Sequence, residues 1–545
     1  MKKNSLIAII CLGFLLGFNS CSEEILKETP LDFFSPENAF VSKAGFDAAL
    51  VGLYDATRVE MASGDNKNEV IMSECTDVAT NAAASATAIN SNWQRMNPTN
   101  AYPVFYWNWA YQLVISRANT IISRIENPEI TWDSENEKNE ILAEARFFRG
   151  YAYSVLVNLF GGVPIVKEEV TSPKYDYVRA TKQEVLEFII EDLKFASQYL
   201  PATTTEDGKI VKAAADHYLS ETYLGLKQYD KAIEAASDVI NSGLYKIMTE
   251  RFGDLSRPGD VFSDLFWTHQ INRSSGNLET IWALQVEYGV TGGIPGDGGN
   301  GQLRRWGPAY YYITDPDKKV GIALCDSLGR PNGWICPTDY ARYDIWRSDW
   351  GNDMRNSKYN IRRDYYFNSG NYKGQKLNKK DGYWYIGDVQ IRKIESIDTM
   401  RYIYPWFRKI EGIPQGEIVY GRNYNEFIKV RLAETYLLRA EAYLMSGDKP
   451  KAADDINVLR NRAHATPVTA GEVDLDYILD ERARELIVEE RRLRTLNRMG
   501  KTVERVKKYN FREVDFIEDY HNLWPIPQSA IDANKDAVLE QNPGY

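Results

Sequence analysis

Residues 134–164, SENEKNEILAEARFFRGYAYSVLVNLFGGVP, predict one long helix with a defined start and a defined end. Ser134 and Glu137 have the spacing of a capping box, in which the serine oxygen and the glutamate carboxylate accept free backbone N–H groups of the first turn. Apolar side chains then recur at helical spacing between residues 141 and 159. The Gly-Gly-Val-Pro sequence at 161–164 stops the helix. This stretch indicates a mostly α-helical fold.

An internal repeat supports that fold class. Glu-Thr-Tyr-Leu at 221–224 corresponds to Glu-Ala-Tyr-Leu at 441–444, and Lys-Ala at 231–232 corresponds to Lys-Ala at 451–452 with the same ungapped offset. Each copy predicts a helix with small and aromatic residues, a short polar turn and a second helix. This pattern is typical of tetratricopeptide-type helix pairs, several of which must stack to bury their faces. Coincidence between two amphipathic helices is the alternative interpretation.

The sequence between the two copies has a different character. Residues 244–423 lose helical periodicity and are rich in Gly, Asp, Asn and aromatic residues, which predicts a large, irregular, loop-rich insert. The glycine-rich stretch 292–301 lacks the flanking strand, the Gly-Lys-Thr sequence and the helix start of a phosphate-binding loop. Calcium is a weak alternative at Asp297, because one carboxylate supplies too few ligands. We therefore expect no cofactor and no metal site.

Residues 1–20 have the features of a signal peptide. Lys2 and Lys3 precede an apolar run that is too short to span a bilayer comfortably. The run ends in LGFNSCSEE at 16–24, where small residues directly precede Cys21. This pattern favours a bacterial lipoprotein signal, cleaved before Cys21 so that the thiol carries the lipid. An ordinary secretory signal and a buried N-terminal helix are the alternatives. With no comparably hydrophobic stretch elsewhere, the acyl chains alone would provide the membrane anchor.

Composition excludes some functions and leaves the redox state open. The 545 residues include 65 Lys and Arg against 76 Asp and Glu, and a net charge of −11 makes the chain a poor nucleic-acid binder. Besides the two cysteines at the N-terminus, the chain has Cys75, Cys325 and Cys336. A disulfide between Cys325 and Cys336 is compatible with an oxidising compartment, but three cysteines cannot all pair.

Patterns typical of enzymes are missing from the sequence. The four histidines lie far apart and lack metal-ligand spacing, and no Gly-x-Ser-x-Gly motif frames a nucleophile. Acidic residues are so abundant that no pair of them specifically indicates a glycoside hydrolase. We therefore expect a binding protein and not an enzyme. A scaffold that makes only protein contacts is a further alternative, against which the tryptophan-rich insert argues.

Eight short motifs occur in a defined order along the chain. They are AEARFFRGY (143–151), LFGGVP (159–164), RLAETY (431–436), RAEAY (439–443), ERAREL (481–486), EERR (489–492), LWPIP (523–527) and QNPGY (541–545). Together they resemble the SusD/RagB family of outer-membrane nutrient-binding lipoproteins of Bacteroidetes. The resemblance implies one domain over residues 21–545. Its expected parts are a scaffold of about four helix pairs at 36–243 and 424–510, the ligand-binding insert at 244–423 and the closing signature at 511–545.

The resemblance also implies a function. A family member would be anchored to the outer membrane through Cys21, and the acidic residues after it resemble the signal that sends such lipoproteins to the cell surface. It would capture an oligosaccharide and deliver it to a SusC-like TonB-dependent barrel, over which it opens and closes as a lid. The RagB branch of the family implies an alternative, in which the same fold and the same partner serve peptide capture.

Candidate ligand residues follow from the chemistry of sugars. Flat aromatic rings cover the apolar C–H faces of a sugar, and polar side chains reach its hydroxyl groups at the rim. The candidate platforms in the insert are Trp306, Trp334, Trp346 and Trp350. A loop near the positions where family members place ligand contacts adds Trp93 and Arg95, with Asp77 and Asn81 as weaker candidates. Ordinary packing is the alternative for each ring, and we assign Trp107, Trp109, Trp282 and Trp524 to the core.

Overall fold

A computed structural model describes residues 39–61, 68–82, 93–293, 299–413, 418 and 421–545. The signal segment, Cys21 and Asp297 lie outside these residues, so what the sequence indicates for them stays a prediction. No helix in the described ranges is both long enough and apolar enough to cross a bilayer. The α-helices in these ranges, α1 to α17 in chain order, are Lys43–Arg58, Asn68–Ile71, Ala101–Asn108, Ser116–Arg124, Glu135–Phe160, Lys182–Tyr199, Lys212–Gly225, Tyr229–Ile240, Val261–Asp264, Gln302–Trp306, Asp339–Arg342, Leu432–Ser446, Lys449–Arg462, Leu475–Leu486, Arg492–Met499, Thr502–Tyr509 and Gln528–Ala533.

The strands are short and pair only locally. In the same ranges, β1 to β9 are Ala79–Asn81, Thr280–Leu284, Ile335–Pro337, Ile361–Arg362, Leu377–Lys380, Tyr383–Ile386, Val389–Lys393, Trp406–Phe407 and Phe427–Arg431. They form the antiparallel pairs β1–β3, β2–β9 and β4–β8 and the three-stranded antiparallel sheet β5–β6–β7. Two π-helical segments, Trp109–Ile115 and Asp398–Tyr402, complete the elements that matter for the site.

The long helix at 134–164 is α5. Ser134 caps it by accepting the backbone N–H of Glu137 at 3.1 Å, whereas the Glu137 carboxylate accepts from the N–H of Asp133 at 3.0 Å. One half of the predicted capping box therefore forms as expected, and the other half is shifted by one residue. Gly161 ends the helix with a φ of 75°, a backbone conformation that residues with a side chain rarely adopt.

The sequence repeat corresponds to two neighbouring helix pairs. The pair α7/α8 begins at residues 212 and 229, and the pair α12/α13 begins at 432 and 449, which reproduces the repeat offset. Four helix pairs, α1/α4, α5/α6, α7/α8 and α12/α13, are stacked in the described part of the chain, with α8 packed against α12. The predicted mostly α-helical, tetratricopeptide-like fold is confirmed.

The insert is the segment between α8 and α12. It begins after the pair α7/α8 and ends before the pair α12/α13. Strand β2 pairs with β9 immediately before α12, with Thr280 opposite Arg431, so the returning chain is fixed to the outgoing one. The segment has a small core of its own around Tyr310 and Trp384. A second core, around Trp306, Trp346 and Trp406, is shared with buried residues between 70 and 82 and between 483 and 488. The insert is therefore a set of short elements packed on a rigid helical base.

Buried ion pairs also tie the insert to the scaffold. Arg355, in the insert, lies 2.8 Å from Glu481 and 2.9 Å from Glu485, both on α14. Glu485 also pairs with Arg431 at 2.8 Å and with Arg462. All five side chains are buried, and buried charges are tolerated only when they are well paired. The orientation of the insert on α14 thus depends on a charge network as well as on apolar packing.

Acid is expected to destabilise this connection. Burial alone would raise the pKa of Glu481, but Arg355, Arg484 and Arg460 outweigh burial and lower its pKa from 4.5 to about 2. A pKa lowered by folding contributes stability that is fully present above 4.5 and lost as the pH falls toward 2. The free energy of unfolding, measured by denaturant titration, should therefore fall between pH 4.5 and 2. Because an amide does not titrate, E481Q should show a shallower fall, and identical pH slopes in both proteins would contradict this assignment.

The cysteines do not form the disulfide considered from the sequence. Cys75, Cys325 and Cys336 are all free thiols. The Cys336 thiol is buried beside β1, and burial raises its pKa to about 11. The Cys325 thiol lies instead 3.4 Å from the Ser327 hydroxyl. The Cys325–Cys336 pairing, which the sequence left open, does not form in this structure.

Candidate functional site

Three of the tryptophans proposed as platforms lie in the core. Trp306 and Trp346 are each 1 % exposed, and Trp93 is 3 % exposed. The indole N–H of Trp346 donates to the Ala341 carbonyl at 2.9 Å, and that of Trp93 donates to the Cys75 carbonyl at 3.1 Å. Because these rings have no face open to solvent, the prediction that they form sugar platforms is wrong. Trp107, Trp109, Trp282 and Trp524 are buried, as predicted for core residues.

The polar candidates in the N-terminal half are also largely structural. Asp77 is fully buried and forms ion pairs with Arg492 at 2.6 Å and Arg505 at 3.0 Å. Asn81 is buried and donates to Glu74 at 2.7 Å. The prediction of ligand contact is wrong for both, because their polar groups are used inside the fold. Arg95 is half-buried, and its role in binding stays a prediction.

Two predicted platforms remain at the surface of the insert. Trp350 is 47 % exposed, and Trp334 is half-buried with the Arg305 guanidinium 5.6 Å from its ring centre. Of the four tryptophans named in the insert, Trp350 is therefore exposed to solvent and Trp334 is partly exposed. Trp346 and Trp350 differ in exposure because of local packing. The 3-10 turn Asp344–Asp349 buries Trp346 and ends at the exposed Trp350.

Tyrosines form the larger part of the exposed aromatic surface. Tyr310 is buried and its hydroxyl donates to the Gly329 carbonyl at 2.5 Å, which fixes the 3-10 turn Tyr310–Tyr312. The next two rings, Tyr311 and Tyr312, lie 4.9 Å apart between centroids, and Tyr312 lies 5.0 Å from Tyr402. Tyr312 is 52 % exposed. We call Tyr311, Tyr312 and Tyr402 the tyrosine stack; sequence analysis missed it, although the run of three tyrosines was a usable signal.

A second exposed aromatic pair includes Trp350. Its ring is nearly parallel to that of Tyr343, with an interplanar angle of 16° and 6.5 Å between centroids. The Arg363 guanidinium lies 4.6 Å from the Trp350 ring centre and 5.5 Å from that of Tyr343. Arg363 is held in place by donating to the Arg342 carbonyl at 2.9 Å. Cation–π contacts of this kind keep both rings oriented, although both residues remain partly exposed.

The π-helical turn Asp398–Tyr402 connects the two groups. Arg342, next to Tyr343, donates to the Thr399 carbonyl at 3.4 Å, and Tyr402 at the end of the same turn belongs to the tyrosine stack. Arg401 in this turn donates through Nε to the Asn332 carbonyl at 3.2 Å. Asn332 lies two residues before Trp334 in the sequence. We call the tyrosine stack, Trp334, Tyr343 and Trp350 together the aromatic surface.

The chemistry of this surface is that of recognition. Its rings offer flat apolar faces, and the Tyr311 hydroxyl with the Asn332 amide, 3.1 Å apart, offers hydrogen-bonding groups at the rim. Long loops positioned by a rigid scaffold are a usual location for binding sites. Among the residues described, no group of three or more His, Cys, Asp or Glu side chains is placed to hold a metal ion. The arrangement can bind a ligand that has apolar faces and polar edges.

Comparison with protein families covers both halves of the chain. Residues 31–224 match a SusD-like family described as "Starch-binding associating with outer membrane". Residues 279–545, which include the aromatic surface, match the SusD family. SusD-like protein P2 of Formosa agariphila is 25 % identical over the full length of both chains. A SusD-like protein of Bacteroides ovatus is 24 % identical over 52 % of this chain and 50 % of that protein.

Solved structures share the same fold. A laminarin binding SusD-like protein superposes with a TM-score of 0.66 at 22 % identity, covering 92 % of this chain and 100 % of that one. A SusD homolog from Bacteroides thetaiotaomicron gives a TM-score of 0.71 at 18 % identity, covering 96 % of this chain and 100 % of that one. The two family matches, the full-length relative and the shared fold agree with the motifs along the sequence. This chain belongs to the SusD family, whose members are binding proteins associated with the outer membrane.

Proposed function

We propose that this protein captures an oligosaccharide at the cell surface and delivers it to a SusC-like TonB-dependent barrel in the outer membrane. The observation that carries the proposal is the aromatic surface, in which the rings of Tyr312, Tyr343 and Trp350 are exposed on the insert. Two structures of the same fold are named for glycan binding, the laminarin binding SusD-like protein and surface glycan-binding protein A from Bacteroides fluxus. Capture makes and breaks no bond in the ligand.

The aromatic surface accounts for binding physically. A sugar that stacks on an exposed ring removes apolar area of both partners from water, and each such contact is worth roughly 1 to 2 kcal/mol. Two rings used together would then change the dissociation constant by roughly 30-fold or more. The Tyr311 hydroxyl and the Asn332 amide at the rim would orient the sugar by hydrogen bonding. A sugar hydroxyl that became buried without a hydrogen-bond partner would weaken binding.

A lipid on Cys21 would hold this capture site at the membrane. The proposal is supported by the charged and apolar segment before Cys21 and by the description of the matching family as associating with the outer membrane. In the native host, the full chain should fractionate with the outer membrane and co-purify with a barrel transporter. Cys21→Ala should release the chain from the membrane fraction, and retention of that variant would overturn the anchor.

The capture step is tested on the chain from residue 22 to 545. Its binding to a panel of polysaccharides and to a panel of peptides is measured by affinity electrophoresis and calorimetry. We expect binding to one class of glycan, weakened in Trp350→Ala, with no binding to peptides. Binding to peptides alone would overturn glycan capture and favour the peptide alternative. Binding to neither panel would overturn capture by the isolated lipoprotein.

A further inference from the structure

Guanidinium groups are concentrated at the aromatic surface, although the chain as a whole has a net charge of −11. Four arginines lie in or near the turn Asp398–Tyr402: Arg401 within it, Arg342 and Arg512 in contact with it, and Arg363 in contact with Arg342. Arg342 donates to a carbonyl of this turn at 3.4 Å, and Arg512 contacts the sulfur of Met400 in it at 3.3 Å. Arg401 is part of the turn, and Arg363 donates to the backbone of Arg342.

Most of this charge has no acidic partner. Arg342 forms an ion pair with Asp339 at 2.5 Å. In the part of the chain that the structure describes, Arg363 donates to the Arg342 carbonyl and the Asn356 amide, and Arg401 to a carbonyl at 3.2 Å. Arg512 likewise donates to neutral acceptors, at 2.5 and 3.3 Å. Three guanidinium groups therefore contact no carboxylate there.

The nearby acidic side chains compensate these charges only in part. Asp364, next to Arg363, is already paired with Lys376 at 2.8 Å. Asp398 is already paired with Arg392 at 2.6 Å. Glu513, next to Arg512 in the sequence, is buried, and burial raises its pKa to about 8, so that it is largely neutral at pH 7. The surface consequently presents positive charge beside exposed rings. A neutral sugar only accepts hydrogen bonds from these guanidinium groups, whereas an anionic sugar also compensates their charge and forms stronger hydrogen bonds.

We propose that the glycan bound by the aromatic surface is acidic, that Arg401 contacts its carboxylate or sulfate groups, and that Arg363 adds positive charge beside the rings. This inference rests on the proposed function of the surface. The terminal nitrogens of Arg401 donate to no described residue, so its planar fork is available for a bidentate contact with an anion. The Arg363 guanidinium lies 5.5 Å from the ring centre of Tyr343 and 4.6 Å from that of Trp350, so it adds positive charge beside these rings.

The test compares three probes: a neutral β-glucan oligosaccharide, a uronic-acid oligosaccharide and a sulfated oligosaccharide. Dissociation constants are measured by calorimetry for residues 22–545 at low and at moderate salt. We expect at least one acidic probe to bind about tenfold or more tightly than the neutral one, with affinity falling as salt rises. The uronic-acid and sulfated arms show which anion the arginines recognise.

Variants locate the contact. Arg401→Gln should lose about tenfold in affinity for the acidic probe and leave thermal stability close to that of the parent protein. Arg363→Gln should also weaken binding of the acidic probe, but its thermal stability should fall, because Arg363 orients the rings of Tyr343 and Trp350. Arg401→Lys keeps the positive charge but lacks the planar guanidinium group. Its affinity for the acidic probe should therefore lie between those of the parent protein and Arg401→Gln. Arg347→Gln is the matched control, because Arg347 is exposed on the same segment and already paired with Asp344 at 2.6 Å.

The outcomes separate this inference from the function on which it rests. Binding of the neutral probe as tightly as the acidic ones, with unchanged affinity in Arg401→Gln and Arg363→Gln, would overturn the inference and leave glycan capture intact. Binding of none of the three probes would count against glycan capture itself and overturn both.

Discussion

Replacing Glu485 with Gln is expected to lower the free energy of unfolding by about 3 to 5 kcal/mol, as measured by denaturant titration at pH 7. Glu485 is fully buried among Arg355 at 2.9 Å, Arg431 at 2.8 Å and Arg462. These guanidinium groups lower the pKa of Glu485 well below its usual range despite its burial. The neutral amide would leave excess positive charge in the interior, where water cannot solvate it.

The same variant should loosen the insert. Arg355 is the insert residue in this cluster, so its attachment to α14 weakens when Glu485 loses its charge. Limited proteolysis should then cut the insert faster than in the parent protein. Glu504→Gln is the matched control, because Glu504 is exposed and its pair with Lys501 at 2.7 Å contributes less than about 1 kcal/mol. A loss below 1 kcal/mol in Glu485→Gln would show that the network is not essential to stability.

Removing two rings of the tyrosine stack should weaken glycan binding roughly 30-fold or more without unfolding the protein. The double variant Tyr312→Ala, Tyr402→Ala deletes two rings whose centroids lie 5.0 Å apart. Tyr312 is half-exposed and Tyr402 is only half-buried, so the loss of core packing is small. The affinity is measured by calorimetry with the glycan found for the parent protein, and stability by thermal unfolding.

A second exposed tyrosine gives the control for this variant. Tyr175 is also about half-exposed but lies outside the insert, so Tyr175→Ala removes a similar ring without touching the aromatic surface. We expect its affinity to equal that of the parent protein. If the double variant and Tyr175→Ala bind glycan equally well, the tyrosine stack is not the platform, and the ligand contacts must be sought elsewhere on the insert.

Features encoded within short stretches of sequence could be predicted. Helix α5 begins and ends where its cap and its glycines place it, and the repeat correctly paired α7/α8 with α12/α13. Both results depend on contacts between residues only a few positions apart or on one repeated pattern. The motifs along the chain also indicated the family, which the comparisons confirm.

Short stretches of sequence could not predict which aromatic rings are exposed. Trp346 and Trp350 are four residues apart with similar neighbours, yet one is buried and the other is half-exposed. Asp77 looked like a candidate ligand residue and proved to be the partner of Arg492 and Arg505, more than 400 positions away.

Sequence by itself therefore determined the helical scaffold and the family, because these follow from local periodicity, caps and repeated motifs. Only the tertiary structure decided which side chains form the site. The tyrosine stack joins Tyr311 and Tyr312 to Tyr402, and the Trp350 pair depends on Arg363, which is placed by the packing of the insert. Exposure and pairing are properties of long-range packing, in which each ring is buried or left open by segments distant in the chain.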